Sequence, residues 1–185
     1  MIEQILFAMW FFGPAGLANA APIIANNTPI IKDFNRPMDL GKTFRGVRVL
    51  GDNKTFRGLL SGMIMGLIVA SVQMILFSQF TSIDSFTMDI DYSSPIVLLM
   101  GISMGFGVLL GDAVESFFKR QAGVAPGKSW VPFDQIDFIA GGLVFSLPFA
   151  RLDARTYATT LIVMALLHPA VNLLGWALGF KSKPF

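Results

Sequence analysis

Acidic, basic and hydroxyl side chains gather at two places in this chain. The first is GDAVESFFKRQAGVAPGKSWVPFDQID, residues Gly111 to Asp137. At about 100° per residue, Asp112, Glu115, Ser116 and Lys119 share one helical face, with Phe117 and Phe118 turned away and Arg120 on the flank. After a break at Pro126-Gly127, Asp134 and Asp137 stand three apart at the start of the next helix, so both carboxylates can point the same way. One carboxylate from the first helix with one or two from the second makes a hard oxygen site suited to Mg²⁺. Lys119, Arg120 and Lys128 are near enough in sequence to neutralise phosphate oxygens around it. An ion pair of Asp112 or Glu115 with Lys119 would explain part of that face, but Asp134 and Asp137 arrive without matching bases beside them.

The second place is GKTFRGVRVLGDNKTFRG, Gly41 to Gly58, which spells Lys-Thr-Phe-Arg-Gly twice, twelve residues apart. Gly41, Gly46, Gly51 and Gly58 let backbone amides approach an anion, while Lys54, Thr55 and Arg57 supply charge and donors. A phosphate site is expected here, but not a Walker A loop, which needs G-x-x-x-x-G-K-[ST]. Arg36 stands where Gly41-Lys42-Thr43 would need its first glycine, and Ala122 where Gly127-Lys128-Ser129 would need it. The Asp52-Asn53-Lys54-Thr55 run lacks the second glycine.

These residues must be positioned by elements that lie mostly in lipid. Hydrophobic residues make up 54% of the 185 and charged residues 14%, against roughly 25% charged in an average soluble domain. No Cys is present, which excludes thiolate metal sites and a Cys nucleophile. The net charge of +2 is small, and no nucleic-acid partner is expected. Apolar segments near 4–31, 58–80, 95–118 and 157–179 have spanning length, about 17–25 residues, and a shorter one lies near 136–150. The first lacks a basic leader and carries Glu3, so it reads as a retained span. The expected fold is a single all-α integral membrane domain over 1–185, with about five transmembrane helices and loops at about 32–57 and 119–135. Of the 14 Lys and Arg residues, only Arg151 and Arg155 fall on the side opposite those loops. The asymmetry places the N-terminus outside, and both basic loops and the C-terminus in the cytoplasm.

Two polar groups fall within apolar spans. Pro22, Pro29 and Pro37, with Asn26 and Asn27, are expected to interrupt the inner end of the first span, and no straight helix is expected past 27. Asn26 and Asn27 would then need polar partners or serve as a helix cap. His168-Pro169, followed by Asn172, reads as a packing or kinking feature of the last span.

The segment Asp112-x-x-x-Ser116-x-x-Lys119-Arg120, then Pro126-Gly127, Pro132 and Asp134-Gln135-x-Asp137, resembles the signature of integral-membrane CTP-dependent cytidylyltransferases. CDP-diacylglycerol synthases carry S-x-x-K-R followed by D-R-x-D; here Gln135 replaces the Arg, and a basic His-Gly-Gly segment is missing. The layout is closer to the archaeal branch, the CDP-archaeol synthases, with Pro37-x-Asp39, Gly51-Asp52-x-Lys54-Thr55-x-Arg57-Gly58 and His168-Pro169-x-x-Asn172 in order. The resemblance implies an enzyme of the cell membrane, its active site facing the cytoplasm. It would use Mg²⁺ to join CTP to an anionic isoprenoid glycerol-phosphate lipid, digeranylgeranylglyceryl phosphate, giving CDP-archaeol and pyrophosphate. Asp112 and Asp134 or Asp137 would then hold the metal. Asp52, Lys54, Thr55, Arg57, Gly58, Lys119 and Arg120 would surround the phosphates, Ser116 would donate a hydrogen bond, and Asn26 or Asn27 would meet the base.

Two alternatives stand beside it. A CDP-alcohol phosphotransferase would show D-G-x-x-A-R…G-x-x-x-D-x-x-x-D, which does not occur here. A small ion-coupled transporter would be supported by inverted repeats, and the spans show none.

Overall fold

The computed structural model describes residues 2–28, 34–88, 90–125 and 128–177, apart from the side chains of 171, 172, 174, 175 and 177. Pro29, Pro126, Gly127 and the side chain of Asn172, with Lys32, Lys181 and Lys183 of the basic count, lie outside this description.

Helix dominates. α1 (Ile2–Phe11) and α2 (Gly13–Asn27) form one bent unit, turned by 43° at Phe12. Gly13-Pro14 causes the break: the proline has no N–H to continue the ladder of α1, and it suits the first turn of α2. The interruption expected at Pro22 is not there. Pro22 lies inside α2, its ring against Gly58, where an added Cβ would stand 3.6 Å from it. α2 does stop at Asn27, with Thr28 as its cap.

A loop then carries a two-residue hairpin, β1 (Thr43–Phe44) against β2 (Val47–Arg48). α3 (Phe56–Gln79) follows, then a 3₁₀ turn at Thr81–Phe86 and α4 (Ile96–Gln121). α5 (Phe133–Ser146) and α6 (Ala154–Ala177) complete the order. Among the described residues, α3 and α4 are each long and apolar enough to cross a membrane, and the bent α1–α2 pair makes a third candidate. α5, at 14 residues, is about 21 Å long and falls short of a hydrocarbon core of about 30 Å.

α3 shows how the chain divides lipid from protein. Leu60, Ile64, Ile68, Val72 and Ile75 are exposed along one stripe, while Gly58, Gly62, Gly66 and Ala70 are buried on the other. Small residues inside and branched aliphatics outside is the pattern of helices that associate in lipid, where backbone approach replaces a hydrophobic drive. Gly66 meets Gly101 of α4 so closely that a Cβ on Gly66 would fall 2.1 Å from the Gly101 carbonyl oxygen. Gly62 and Gly105 repeat this one turn away, with 2.3 Å from a Cβ on Gly105 to the Gly62 oxygen.

A second glycine face of α4 receives α5. A Cβ on Gly141 would lie 2.1 Å from the Gly107 oxygen, and one on Gly111 would lie 2.3 Å from the Asp137 oxygen. α4 is therefore clasped on two sides at backbone contact. Phe7, Phe11, Phe12, Met100, Met104, Val108 and Ile139 fill the core between the bent helix unit, α4 and α5.

Candidate active site

The loop before α3 is built around one carboxylate. Asp39 accepts from Arg48 Nε at 2.9 Å and Nη2 at 3.0 Å, and from the amides of Gly41, Leu50 and Gly51, each at 3.0 Å. Burial raises this carboxyl, but Arg48 and the three amides outweigh it and hold Asp39 well below the usual carboxylate range. Pro37 bridges Thr55, and Met38 N donates to Lys54 O at 2.7 Å, so the loop closes back on the start of α3. Thr55 caps α3: its Oγ1 accepts from Gly58 N at 3.1 Å.

Lys54, one residue before that cap, reaches across to α4 and pairs with Asp112 at 2.5 Å. Arg57, buried at the first turn of α3, donates to Asn26 of α2 and, at 3.0 Å, to Asn35 of the loop. Asn26 thus has the polar partner it needs, whereas Asn27 donates to Ile23 O of its own helix at 3.1 Å.

Asp112, Glu115 and Asp137 each offer a carboxylate oxygen, and these oxygens lie within 4.8 Å of one another. Asp112 and Glu115 come from one face of α4, and the Gly111–Asp137 contact brings the α5 residue to them. Asp134, three residues before Asp137, is not in this set and is held by Lys119 and by the amide of Trp130. The sequence marks Glu115 only as a neighbour or ion-pair partner on the Asp112 face. Its spacing was the available signal; what was missing was the glycine contact that decides which α5 carboxylate arrives.

The fit to a divalent ion rests on the donors. All three are hard carboxylate oxygens, and octahedral Mg²⁺ at about 2.0–2.1 Å places opposite ligands about 4.2 Å apart, so small side-chain rotations would close the group around one ion. Among the described residues, Glu115 Oε1 is buried and accepts no hydrogen bond, with the Lys119 ammonium 3.5 Å away. A buried carboxylate oxygen short of a hydrogen-bond donor has the capacity to take a metal ion as partner.

Two cavities meet at this group. A cleft of about 560 Å³ is walled by Arg48, Lys54, Lys119, Arg120 and Lys128 together with Asp52, Asp112, Glu115, Ser116 and Asp134. Arg120 donates Nη2 to Ala125 O at 3.5 Å, while its Nε and Nη1 are buried with no partner among the described residues. Ser116 is buried in the same wall, and Asp52 is exposed and paired with Arg48 at 2.8 Å. On the other side, an apolar groove of about 720 Å³ runs between α4 and α5, lined by Val114, Phe118, Phe133, Ile136 and Val144. Glu115 belongs to both walls, and Asp137 lines the groove.

The sequence-expected residues therefore divide. Asp112, Ser116, Lys119, Arg120, Asp134, Lys54 and Asp52 line the cleft. Thr55, Gly58, Arg57, Asn26 and Asn27 are engaged at the helix ends beside it. His168 stacks edge-on against Phe138 at 4.8 Å and lines a separate cavity with Asn19, as a packing residue would.

Comparison with known proteins gives one consistent result. The whole chain, residues 1–185, matches the family described as CarS-like, CDP-archaeol synthase. It is 32% identical to the CDP-archaeol synthase of Thermococcus onnurineus (strain NA1), over all of this chain and 99% of the relative. It is 31% identical to that of Pyrococcus furiosus over the full length of both, and 33% identical to that of Methanospirillum hungatei over 88% of this chain and 97% of the relative. A solved structure described as an intramembrane enzyme for archaeal membrane lipids biosynthesis superposes with a TM-score of 0.72 and 29% identity, covering 91% of this chain and 94% of that one.

Proposed function

Since the chain belongs to the CDP-archaeol synthase family of membrane-embedded cytidylyltransferases, we propose that it transfers the cytidylyl group of CTP to digeranylgeranylglyceryl phosphate, with Mg²⁺, giving CDP-archaeol and pyrophosphate. One observation carries this reading: a cation-walled cleft and an apolar groove meet at a shared carboxylate, Glu115, within the Asp112–Glu115–Asp137 group. A triphosphate suits the first cavity and isoprenoid chains the second. Their reacting phosphates would then meet at the carboxylates.

The lipid phosphate oxygen is the nucleophile. It forms a new bond to the α-phosphorus of CTP as the bridging bond to the β-phosphate breaks in line, so no protein nucleophile is required. Asp112, Glu115 and Asp137 would hold the ion. Once bound, Mg²⁺ would neutralise phosphate oxygens that otherwise repel the incoming lipid anion. Lys119, Arg120 and Lys128 take the phosphates, and the two unpartnered nitrogens of Arg120 suit a phosphate fork. Lys54 exchanges Asp112 for a phosphate oxygen when the nucleotide arrives. Asp134 aims Lys119, and Ser116 donates from the wall. Arg57 with Asn26, and Asp39 with Arg48, hold the loop over the cleft.

In this reading the single membrane domain has five membrane segments, counting α1–α2 as one and adding α6 and the short α5, whose 14 residues would need local thinning of the bilayer. The cleft would face the cytoplasm, the side that the Lys and Arg asymmetry favours. Purified protein given CTP, Mg²⁺ and the ether-lipid phosphate should release pyrophosphate and form the CDP-lipid, with ATP, GTP and UTP turning over far more slowly. Pyrophosphate release that ignores the lipid, or no release with any lipid phosphate, sinks the assignment.

A further inference from the structure

The first Lys-Thr-Phe-Arg-Gly copy, Lys42 to Gly46, takes no part in the cleft. It forms the hairpin tip, where Arg45 and Gly46 take φ of 53° and 81° and turn β1 onto β2. The turn leaves Leu40, Phe44 and Val47 exposed by 49%, 46% and 40%. Lys42 and Arg45 form no ion pair among the described residues, and the Arg45 guanidinium lies 5.3 Å from the Phe44 ring centre. Three apolar side chains and two cations therefore stand together on a short, firmly latched tip.

Their position says what covers them. The Phe44 ring stands 5.9 Å from Phe117, about one turn before the end of α4. Phe117 contacts Phe118, which is exposed and lines the apolar groove between α4 and α5. At 26 residues α4 is about 39 Å long, longer than a hydrocarbon core of about 30 Å, so its last turn reaches the headgroup layer. The apolar tip is thus continuous with lipid-facing surface at interfacial depth. Its cations have the sign that anionic headgroups attract, and their stems can lie along the apolar side chains.

We propose that residues 40–47 are a membrane-interface anchor, laying Leu40, Phe44 and Val47 into the leaflet beside α4 and holding Lys42 and Arg45 against anionic lipid headgroups. The anchor depends on the protein lying in a membrane and not on cytidylyl transfer. It pins the loop that carries Asp39, Arg48 and Lys54 to the bilayer that supplies the lipid phosphate.

The chain has no Cys, so a single introduced Cys carries a single nitroxide. Val47→Cys is the probe and exposed Asn53→Cys the control on the same loop, each in the full chain in nanodiscs of phosphatidylcholine with or without phosphatidylglycerol. The Val47 label should be relaxed more by oxygen than by a water-soluble nickel complex, increasingly so with phosphatidylglycerol, while the Asn53 label stays aqueous. Adding Lys42→Gln or Arg45→Gln should lower the ratio of membrane-docked to aqueous spectral component about fivefold per charge removed in phosphatidylglycerol, and leave phosphatidylcholine spectra unchanged. A Val47 label as open to nickel as the Asn53 label overturns the anchor. Dipolar broadening between labels would assign the face to a second copy and overturn it as well. Insertion indifferent to phosphatidylglycerol overturns the role of the anionic headgroups.

Discussion

Gly111 and Asp137 touch through their backbones, leaving no room for a side chain: a Cβ on Gly111 would sit 2.3 Å from the Asp137 carbonyl oxygen. The contact sets the height of α5 against α4 and so places the Asp137 carboxylate beside those of Asp112 and Glu115. Gly111→Ala must push the helices apart. It should cost about 1–3 kcal/mol, the usual penalty of overpacking, and weaken divalent-ion binding even where the protein still folds. Thermal unfolding in detergent and Mn²⁺ titration read the two effects separately. Wild-type ion affinity in a folded Gly111→Ala protein would remove the contact from the site.

Asp112→Asn, Glu115→Gln and Asp137→Asn should each lower kcat/KM by more than about a hundredfold, since metal charge stabilisation is worth several kcal/mol. Helix content and detergent-extracted yield should stay near wild type. Glu115→Gln is the informative variant. Near-normal turnover there would leave the ion to Asp112 and Asp137 alone.

Lys54→Met should raise the KM for CTP about tenfold or more, the effect of losing one charge-assisted contact. Without nucleotide the sign reverses. The ammonium that pairs with Asp112 at 2.5 Å competes with an incoming cation, so the variant should bind Mn²⁺ more tightly than wild type. Equal or weaker Mn²⁺ affinity would show that Lys54 does not compete there.

Asp134 holds Lys119 and the Trp130 amide and is not one of the three carboxylates whose oxygens lie within 4.8 Å of one another. Asp134→Asn should therefore raise the KM for CTP and weaken Mn²⁺ binding less than Asp112→Asn does, the effect of a group that positions a ligand without being one. A loss of Mn²⁺ affinity equal to that of Asp112→Asn would restore Asp134 as a ligand.

The loop latch should fail in acid. Asp39 titrates below its unfolded value because Arg48 and three amides overcome the burial that raises it. Its contribution to loop order is therefore complete above roughly pH 4, the ordinary carboxylate value. It is lost as pH falls further toward the depressed native one. Hydrogen exchange at Gly41, Leu50 and Gly51 should lose protection on acidification, and Asp39→Asn should show that loss already at neutral pH. Protection unchanged in Asp39→Asn would mean the loop holds without its carboxylate.

Composition alone determined that this chain belongs in lipid, because 54% hydrophobic and 14% charged residues cannot be covered by water. The ordered motifs from Pro37 to Asn172 carried the family resemblance that the comparisons bear out. Helical periodicity put Asp112, Glu115, Ser116 and Lys119 on one face of α4. Periodicity cannot say which neighbour that face meets. Only the tertiary structure decided that Asp137 joins Asp112 and Glu115 while Asp134 turns to Lys119, because glycines distant in sequence set how closely the two helix backbones approach. It likewise decided that Thr55 caps a helix and Arg57 ties α2 to the loop. Lys, Arg, Thr and Asp use the same donors and acceptors for holding a fold as for holding a phosphate, and position alone separates the two uses.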